Sequence, residues 1–412
     1  MPAIKSEFLH ILTSRGFLHQ ATDVAGLDNL LCQNKHQVGY IGFDATAASL
    51  HIGSLIAIML LRHLQKTGGR PVVLMGGGTS MIGDPSGKDE ARQMLTLDTI
   101  EKNLSSIKKI FNHYIDFTDQ RALMLNNAEW LRDLSYIEIL RSIGKYFSVN
   151  KMLQMESVKL RLSREQNLSF LEFNYMVLQA YDFMVLNKQY DCRLQMGGSD
   201  QWGNIVMGID LTRKMNQTEV FGITCPLLTT ASGAKMGKTA NGAIWLNGDK
   251  LSPYDFWQFW RNVEDADVGR FLKLFTELPL DEIARLEKLQ GAELNEAKKI
   301  LANHITQLCH GKAAAATASA TAENVFQKGA GDDNLPTIMM TNKMTLLALI
   351  KNIGFADSHS EARRLVEQGG IKLNDQPIND PLLTIDHDNF SGEPLLKISV
   401  GKKKHGLIKW QK

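Results

Sequence analysis

Cysteine is scarce in this chain: its 412 residues hold four, at positions 32, 192, 225 and 309, and no CxxC pair. Neither a zinc site nor a disulfide framework is encoded, and the thiols read as buried. Long apolar runs are missing too. The longest near the front, Leu55–Leu61, is far too short to cross a bilayer. The first residues lack the basic-then-apolar layout of a signal peptide, and Glu7 and Asp23 speak against a transit peptide, so the cytoplasm is the expected compartment. No solenoid-length repeat recurs. Neither sign of charge dominates: 46 Lys and Arg face 44 Asp and Glu, a balance that points to no partner.

What is present reads as globular, with 44% hydrophobic and 22% charged residues, in a chain long enough for about two or three domains. The small positive excess collects at the end. Residues 335–412 carry 11 Lys and Arg against 8 Asp and Glu, a net of +3 that leaves −1 for everything before. Such an end is as readily a solvated tail as a nucleic-acid contact.

Residues 1–35 read as a mixed helical lead-in. VGYIGF (38–43) and PVVLMGG (71–77) are short apolar runs ending in glycine or turn residues, the pattern of buried parallel strands. Between them Ile52, Leu55, Ile56, Met59 and Leu60 fall at helical spacing until Gly68-Gly69 stops the run. Strand, helix, strand predicts a βαβ unit, and further strands are expected at CRLQM (192–196) and VFGITCPLLT (220–229). A Rossmann-like, doubly wound α/β domain over residues 1–230 follows. From Ser252 the texture turns helix-periodic, and the Ala-rich GKAAAATASATAENVF reads as helix. An α-helical domain is expected over 231–328, a linker at GAGDDN (329–334) and a small α+β unit over 335–412.

Five segments could carry chemistry. FDATAASLHIGS (43–54) closes a strand and opens a helix, whose free N–H groups and dipole attract phosphate. His51 and Ser54 share a face, Gly53 leaves room for a flat ring, and Thr46 adds a hydroxyl. A capped helix with an incidental histidine fits the same residues. GGGTSMIGDPSGKDEAR (76–92) follows a strand without P-loop spacing. Its Asp84 suits an ammonium group and its Lys88 and Arg92 phosphate oxygens, though taken by itself the segment reads more readily as a flexible surface turn. In NYMVLQAYDF (174–183), Tyr175, Gln179 and Asp182 form a narrow polar stripe on a mostly apolar helix. Buried polar groups need partners, so either the core or a ligand satisfies them. QMGGSDQWGN (195–204) ends a strand with two glycines; Asp200 is a ribose-hydroxyl acceptor, or it or Ser199 caps the next helix. SGAKMGKTA (232–240) sets two lysines in a small-residue loop, the composition of a solvated loop or of one that closes over a triphosphate.

In this order and at these intervals, the five segments resemble the tyrosyl-tRNA synthetases of bacterial and organellar type, over nearly the whole chain. HIGS looks like the HIGH signature of class I synthetases and KMGKT like their KMSKS signature. The resemblance implies that Tyr40 and Asp182 hydrogen-bond the phenolic hydroxyl of bound L-tyrosine. Tyr175, Gln179 and Asp84 would hold its ammonium group, with Gln201 by its carboxylate. ATP would meet Gly42, Asp44, Thr46, His51, Gly53 and Ser54 on one side, and Gly198 and Asp200 at the ribose. Lys88, Arg92, Lys235, Lys238 and Thr239 would close over the departing pyrophosphate. Ser54 stands at the second histidine of HIGH and offers a hydroxyl but no imidazole. Gly237 replaces the signature serine, and Ala45 stands where proline is common.

The implied reaction is in-line attack of the tyrosine carboxylate on the α-phosphorus of ATP. The terminal ribose hydroxyl of tRNA then attacks the acyl carbon. Catalysis by positioning and charge stabilisation suffices. Magnesium would arrive with ATP, so no dedicated metal ligands are expected. Rejection of phenylalanine, for which this family is the familiar example, would follow from leaving a buried Tyr40–Asp182 pair unpaired. In the terminal unit, Ser358 and Glu361 form a capping-box pattern, Gly369-Gly370 ends a helix, and Asn374-Asp375 makes a turn. Arg363, Arg364 and Lys372 would stand outward together, resembling the αL RNA-binding motif of a ribosomal small-subunit protein. A homodimer is a further expectation of the family. Two alternatives remain: a tryptophan-specific relative, against which Tyr40 with Asp182 argues, and a non-catalytic RNA-binding protein on a synthetase scaffold, against which His51, Lys235 and Lys238 argue.

Overall fold

A computed structural model describes residues 4–86, 94–233, 236, 238–239, 242–291, 293–328, 335–390, 395–401 and 404–410. The chain forms two compact units. One comprises residues 1–251 and 263–309, the other 252–262 and 310–412.

The first unit is built on a six-stranded sheet: β1 (Gln20–Ala21), β2 (Val38–Asp44), β3 (Arg70–Gly76), β4 (Leu123–Asn126), β5 (Cys192–Gly198) and β6 (Phe221–Cys225), in the order β1-β6-β5-β2-β3-β4. Five strands run parallel and β1 closes one edge antiparallel to β6. Continuous apolar runs are required here because helices cover both faces of a parallel sheet. The expected strands at 38–43, 71–77 and 192–196 appear with ends moved by one or two residues, whereas the run 220–229 is strand only over Phe221–Cys225. The strands β1 and β4 lie at the two edges, too short and too mixed to announce themselves by pattern.

Chain order steps from β2 to β3 on one side and returns to β5 on the other. Ligands bind at such a switch point, beyond the carboxyl ends of the strands. The helix Leu55–Lys66 fills the β2–β3 crossover, with Leu55, Ile56, Ile58, Met59, Leu60 and Leu61 buried. The helix Phe170–Tyr190 begins at a reciprocal capping box between Ser169 and Glu172, and Glu172 also pairs with buried Arg161 at 3.1 Å. Its residue Phe183 packs on Tyr40 of β2, ring centroids 5.4 Å apart.

In the second unit, the helices Pro253–Arg261 and Lys312–Lys328 pack together; the latter is the Ala-rich segment read as helix. A five-stranded sheet follows, with Ile371–Leu373 between Gln376–Ile378 and Leu395–Val400. The helices Leu346–Asn352 and His359–Glu367 share its apolar core, which includes Leu349, Ile350, Ala362, Val366 and Ile398. The Asn374-Asp375 turn takes positive φ at both residues, 45° and 65°, as a two-residue hairpin demands. The predicted capping box is half formed. Ser358 Oγ accepts the Glu361 N–H at 3.2 Å, while the Glu361 carboxylate accepts from Asp357 instead of Ser358. Arg363, Arg364 and Lys372 are all exposed. The expected linker 329–334 lies outside the described residues.

Candidate active site

The strand β2 ends at Asp44 and the chain turns out of the sheet. Ser80 Oγ accepts the Ala45 N–H at 2.7 Å and Asn103 donates to the Ala45 carbonyl at 2.8 Å, which fixes the exit. A single 3₁₀ turn, Ile52–Ser54, precedes the long helix. There His51 Nδ1 accepts the Gly53 N–H at 3.0 Å. A Cβ on Gly53 would lie 2.6 Å from the imidazole, so the room that Gly53 leaves is filled by the ring of His51. The segment 50–52 is stitched to residues 244–246 through Ile52 N–H to Ile244 and Leu246 N–H to Leu50. Thr46 is exposed.

Beyond the ends of β2, β3 and β5 lies a cavity of about 220 Å³, lined by Tyr40, Gly42, Asp44, Ser54, Asp84, Asn127, Tyr175, Gln179, Asp182, Gln195, Gly198, Asp200 and Gln201 among others. The stripe on the helix Phe170–Tyr190 therefore faces a cavity rather than packed core. At its inner end Asp182 is 2% exposed. Its Oδ1 accepts from Trp130 Nε1 at 2.7 Å and its Oδ2 from Asn127 Nδ2 at 2.9 Å. Burial raises this carboxyl to about 7, opposed by those two donors. Tyr40, 1% exposed, has no partner for its hydroxyl among the described residues. Burial, and then the charge of Asp182, lifts its phenol well above the usual range.

A line of hydrogen bonds joins the two ends of this cavity. Asn127 Nδ2 also reaches Thr79 Oγ1 at 3.0 Å, Thr79 donates to Asp44 Oδ1 at 2.7 Å, and Tyr175 donates to Asp44 Oδ2 at 3.0 Å. The approach is close: a Cβ on Gly76 would fall 2.2 Å from Asp44 Oδ1. Nearby, Gln201 donates to Asp84 at 2.7 Å and accepts from Asn204 at 3.1 Å. The cavity thus has a phenol-sized inner end with an unanswered hydroxyl, and an outer end with the Asp44 and Asp84 carboxylates, which suits a cation. On Gly42 a Cβ would meet nothing within 4 Å, leaving the floor of the cleft open.

Two readings need revision, and two residues were missed. The protein itself already satisfies Asp182, so the group left unpaired without a substrate hydroxyl is Tyr40, not a Tyr40–Asp182 pair. Neither Ser199 nor Asp200 caps the helix Trp202–Asn216: Gln201 holds the cap position, with no side-chain cap bond. Asn127 and Trp130, which hold Asp182, escaped the sequence reading because they follow the short edge strand β4; the apolar LMLN ahead of them was the available signal. Lys88, Arg92 and Lys235 lie outside the described residues, and Lys238–Thr239 are described only as backbone, a short strand paired with Gly242–Ala243.

Residues 33–327 match the family described as tRNA synthetases class I (W and Y), and residues 344–387 match the S4 domain. The chain is 56% identical over 416 residues to the tyrosine–tRNA ligase of Brucella suis biovar 1 (strain 1330), covering 99% of this chain and 100% of that one. It is 58% identical to the tyrosine–tRNA ligase of Beijerinckia indica subsp. indica, covering 98% and 97%. Among solved structures, it resembles a C-terminally truncated Aspergillus nidulans mitochondrial tyrosyl-tRNA synthetase. The TM-score is 0.70 at 29% identity, covering 78% of this chain and 95% of the other. The corresponding Coccidioides posadasii enzyme gives 0.66 at 31%, covering 77% and 92%.

Proposed function

The chain belongs to the class I tRNA synthetases of the W and Y group and has the activity of a tyrosine–tRNA ligase; on that footing we propose how its residues divide the reaction. Tyrosine lies with its ring toward Tyr40 and its ammonium group toward Tyr175, Gln179 and Asp84. Asp44 belongs with this ammonium end, because both its oxygens are held there by Thr79 and Tyr175. The phenolic hydroxyl stands between Tyr40 and Asp182, answering the buried Tyr40 hydroxyl that has no partner among the described residues. Phenylalanine would leave that hydroxyl buried and unanswered, at a cost the protein cannot relieve.

ATP, the family's second substrate, lies over Gly42 and Gly198, with Thr46, His51, Ser54 and the backbone of Gly53 toward its phosphates and Asp200 at its ribose. Gln201 stands by the tyrosine carboxylate, which attacks the α-phosphorus in line. Lys88, Arg92, Lys235, Lys238 and Thr239 stabilise the departing pyrophosphate, so they act on rate more than on tyrosine binding. Magnesium is bound through the phosphates of ATP. The S4 match over 344–387 includes Arg363, Arg364 and Lys372, which we assign to the tRNA backbone, with the division 1–230, 231–328, 329–334 and 335–412 as the working domains. We place the reaction in the cytoplasm, where tRNA and ATP meet. Ile137, Phe170, Val149, Tyr136 and Leu162 are all more than half exposed within 136–170, which supports a homodimer, to be checked by sedimentation.

The observation that carries the substrate reading is the hydrogen-bonded line from Asp182 through Asn127 and Thr79 to Asp44, which spans the two polar ends of one amino acid. ATP–pyrophosphate exchange with each amino acid in turn tests it. Tyrosine alone should support exchange; equal exchange with phenylalanine or tryptophan would overturn the assignment of Tyr40.

A further inference from the structure

Asp267 is a carboxylate whose position in its own helix does not explain it. It stands at the N-cap of the helix Val268–Phe275 and is 2% exposed, yet it accepts no cap bond from that helix. Its Oδ2 instead accepts the N–H of Ala231 at 3.0 Å, 36 residues earlier. One helical turn on, Arg270 donates to the carbonyl of Thr229 and stands 3.6 Å from Asp267. Both bonds grip the chain just ahead of SGAKMGKTA. A buried carboxylate is costly unless its bonds are made, and here the Oδ2 bond leaves its own helix for that segment.

The same segment is tied again further on. The Met236 N–H donates to the Leu228 carbonyl at 2.9 Å, and residues 244–246 are stitched to 50–52 beside His51. The stretch between Ala231 and Ile244, which in sequence contains the lysines at 235 and 238, is thus held at its inbound end by Asp267 and Arg270 and at its outbound end beside His51. Fixing loop ends lowers the entropy lost when the loop's groups are brought to a reacting centre.

We propose that Asp267, assisted by Arg270, is a positioning residue for the activation step: it holds the inbound end of the segment that delivers Lys235 and Lys238 to the pyrophosphate. This rests on the pyrophosphate role assigned above to those lysines. Asp267 touches neither substrate in this scheme and acts through the loop.

The test is tyrosine-dependent ATP–pyrophosphate exchange by the full chain as Asp267→Ala, Asp267→Asn, Lys238→Ala and the Asp267→Ala/Lys238→Ala double variant. Asp267→Ala should lower kcat about tenfold with tyrosine KM within about twofold of wild type. Asp267→Asn, which keeps a carbonyl acceptor for Ala231, should recover most of the rate. In the Lys238→Ala background the alanine at 267 should cost little more, because the lost positioning then has less to position. A raised tyrosine KM at unchanged kcat, an asparagine variant no better than alanine, or fully additive losses would each overturn the inference. If Lys238→Ala keeps its exchange rate, the lysine reading itself fails and takes the inference with it. Should Asp267→Ala not fold, Arg270→Ala tests the same clamp from a part-exposed side chain, with an expected fall of about threefold in kcat and refutation if kcat is unchanged.

Discussion

The cleft and the exposed basic face of the terminal unit are built on opposite plans. The cleft draws Asp44, Thr79, Asn127, Tyr175 and Asp182 from four stretches of sequence and joins them through hydrogen bonds, beside a Tyr40 hydroxyl that has no partner among the described residues. The basic face of the second unit draws on Arg363, Arg364 and Lys372, within one helix and the strand after it, and all three are exposed. A small ligand that must be told from a near-isostere needs buried, pre-paired groups. A charged backbone needs only outward cations at a suitable spacing. On the roles proposed above, discrimination is concentrated in the first region and adhesion in the second.

This contrast predicts separable losses. Asp182→Ala should have the largest effect, lowering kcat/KM for tyrosine in exchange by about a thousandfold, since it strands the buried donors of Asn127 and Trp130 as well as the substrate hydroxyl. Binding of tRNA should be unchanged, and a gel-shift or filter assay showing otherwise would contradict the division. Removing everything after Asn334 should do the reverse, cutting charging of tRNA by about a hundredfold while exchange stays within about twofold. Trp130→Phe keeps the ring and removes one of the two donors to Asp182. An increase of about tenfold in tyrosine KM is expected, with no change in the salt dependence of tRNA binding.

The smallest effect is a pH profile. Because burial raises the Asp182 carboxyl from 3.8 to about 7, the folded chain binds a proton there that the unfolded chain has already released. Its stabilising contribution is complete below about pH 4 and is lost as pH climbs to about 7. Tyrosine binding should follow the opposite course, because the phenol donates best to the ionised carboxylate. Tyrosine KM should rise several-fold between about pH 7.5 and 6, and Asp182→Asn should flatten the profile.

Patterning carried a large share of this protein. The runs at 38–43, 71–77 and 192–196 announced the central strands because a parallel sheet buries both faces. The stripe of Tyr175, Gln179 and Asp182 announced a polar surface on an apolar helix because helical period alone puts those residues on one side. The terminal helix, its Ser358 cap and the Asn374-Asp375 turn are local events, legible for the same reason. Edge strands are different: Gln20–Ala21 and Leu123–Asn126 are too short to carry a period, so the short run LMLN was the one faint pointer to Asn127 and Trp130.

Local order, then, was enough for the central elements, for a polar stripe on an apolar helix and for a helix start that attracts phosphate, while tyrosine as the ligand came from the family resemblance. It could not say which groups already satisfy one another, since Asp182 meets Asn127 and Trp130 across more than fifty residues and Asp267 reaches Ala231 across 36. Those pairings come from packing, because hydrogen bonds between distant segments form only where the sheet and its helices bring the segments within reach.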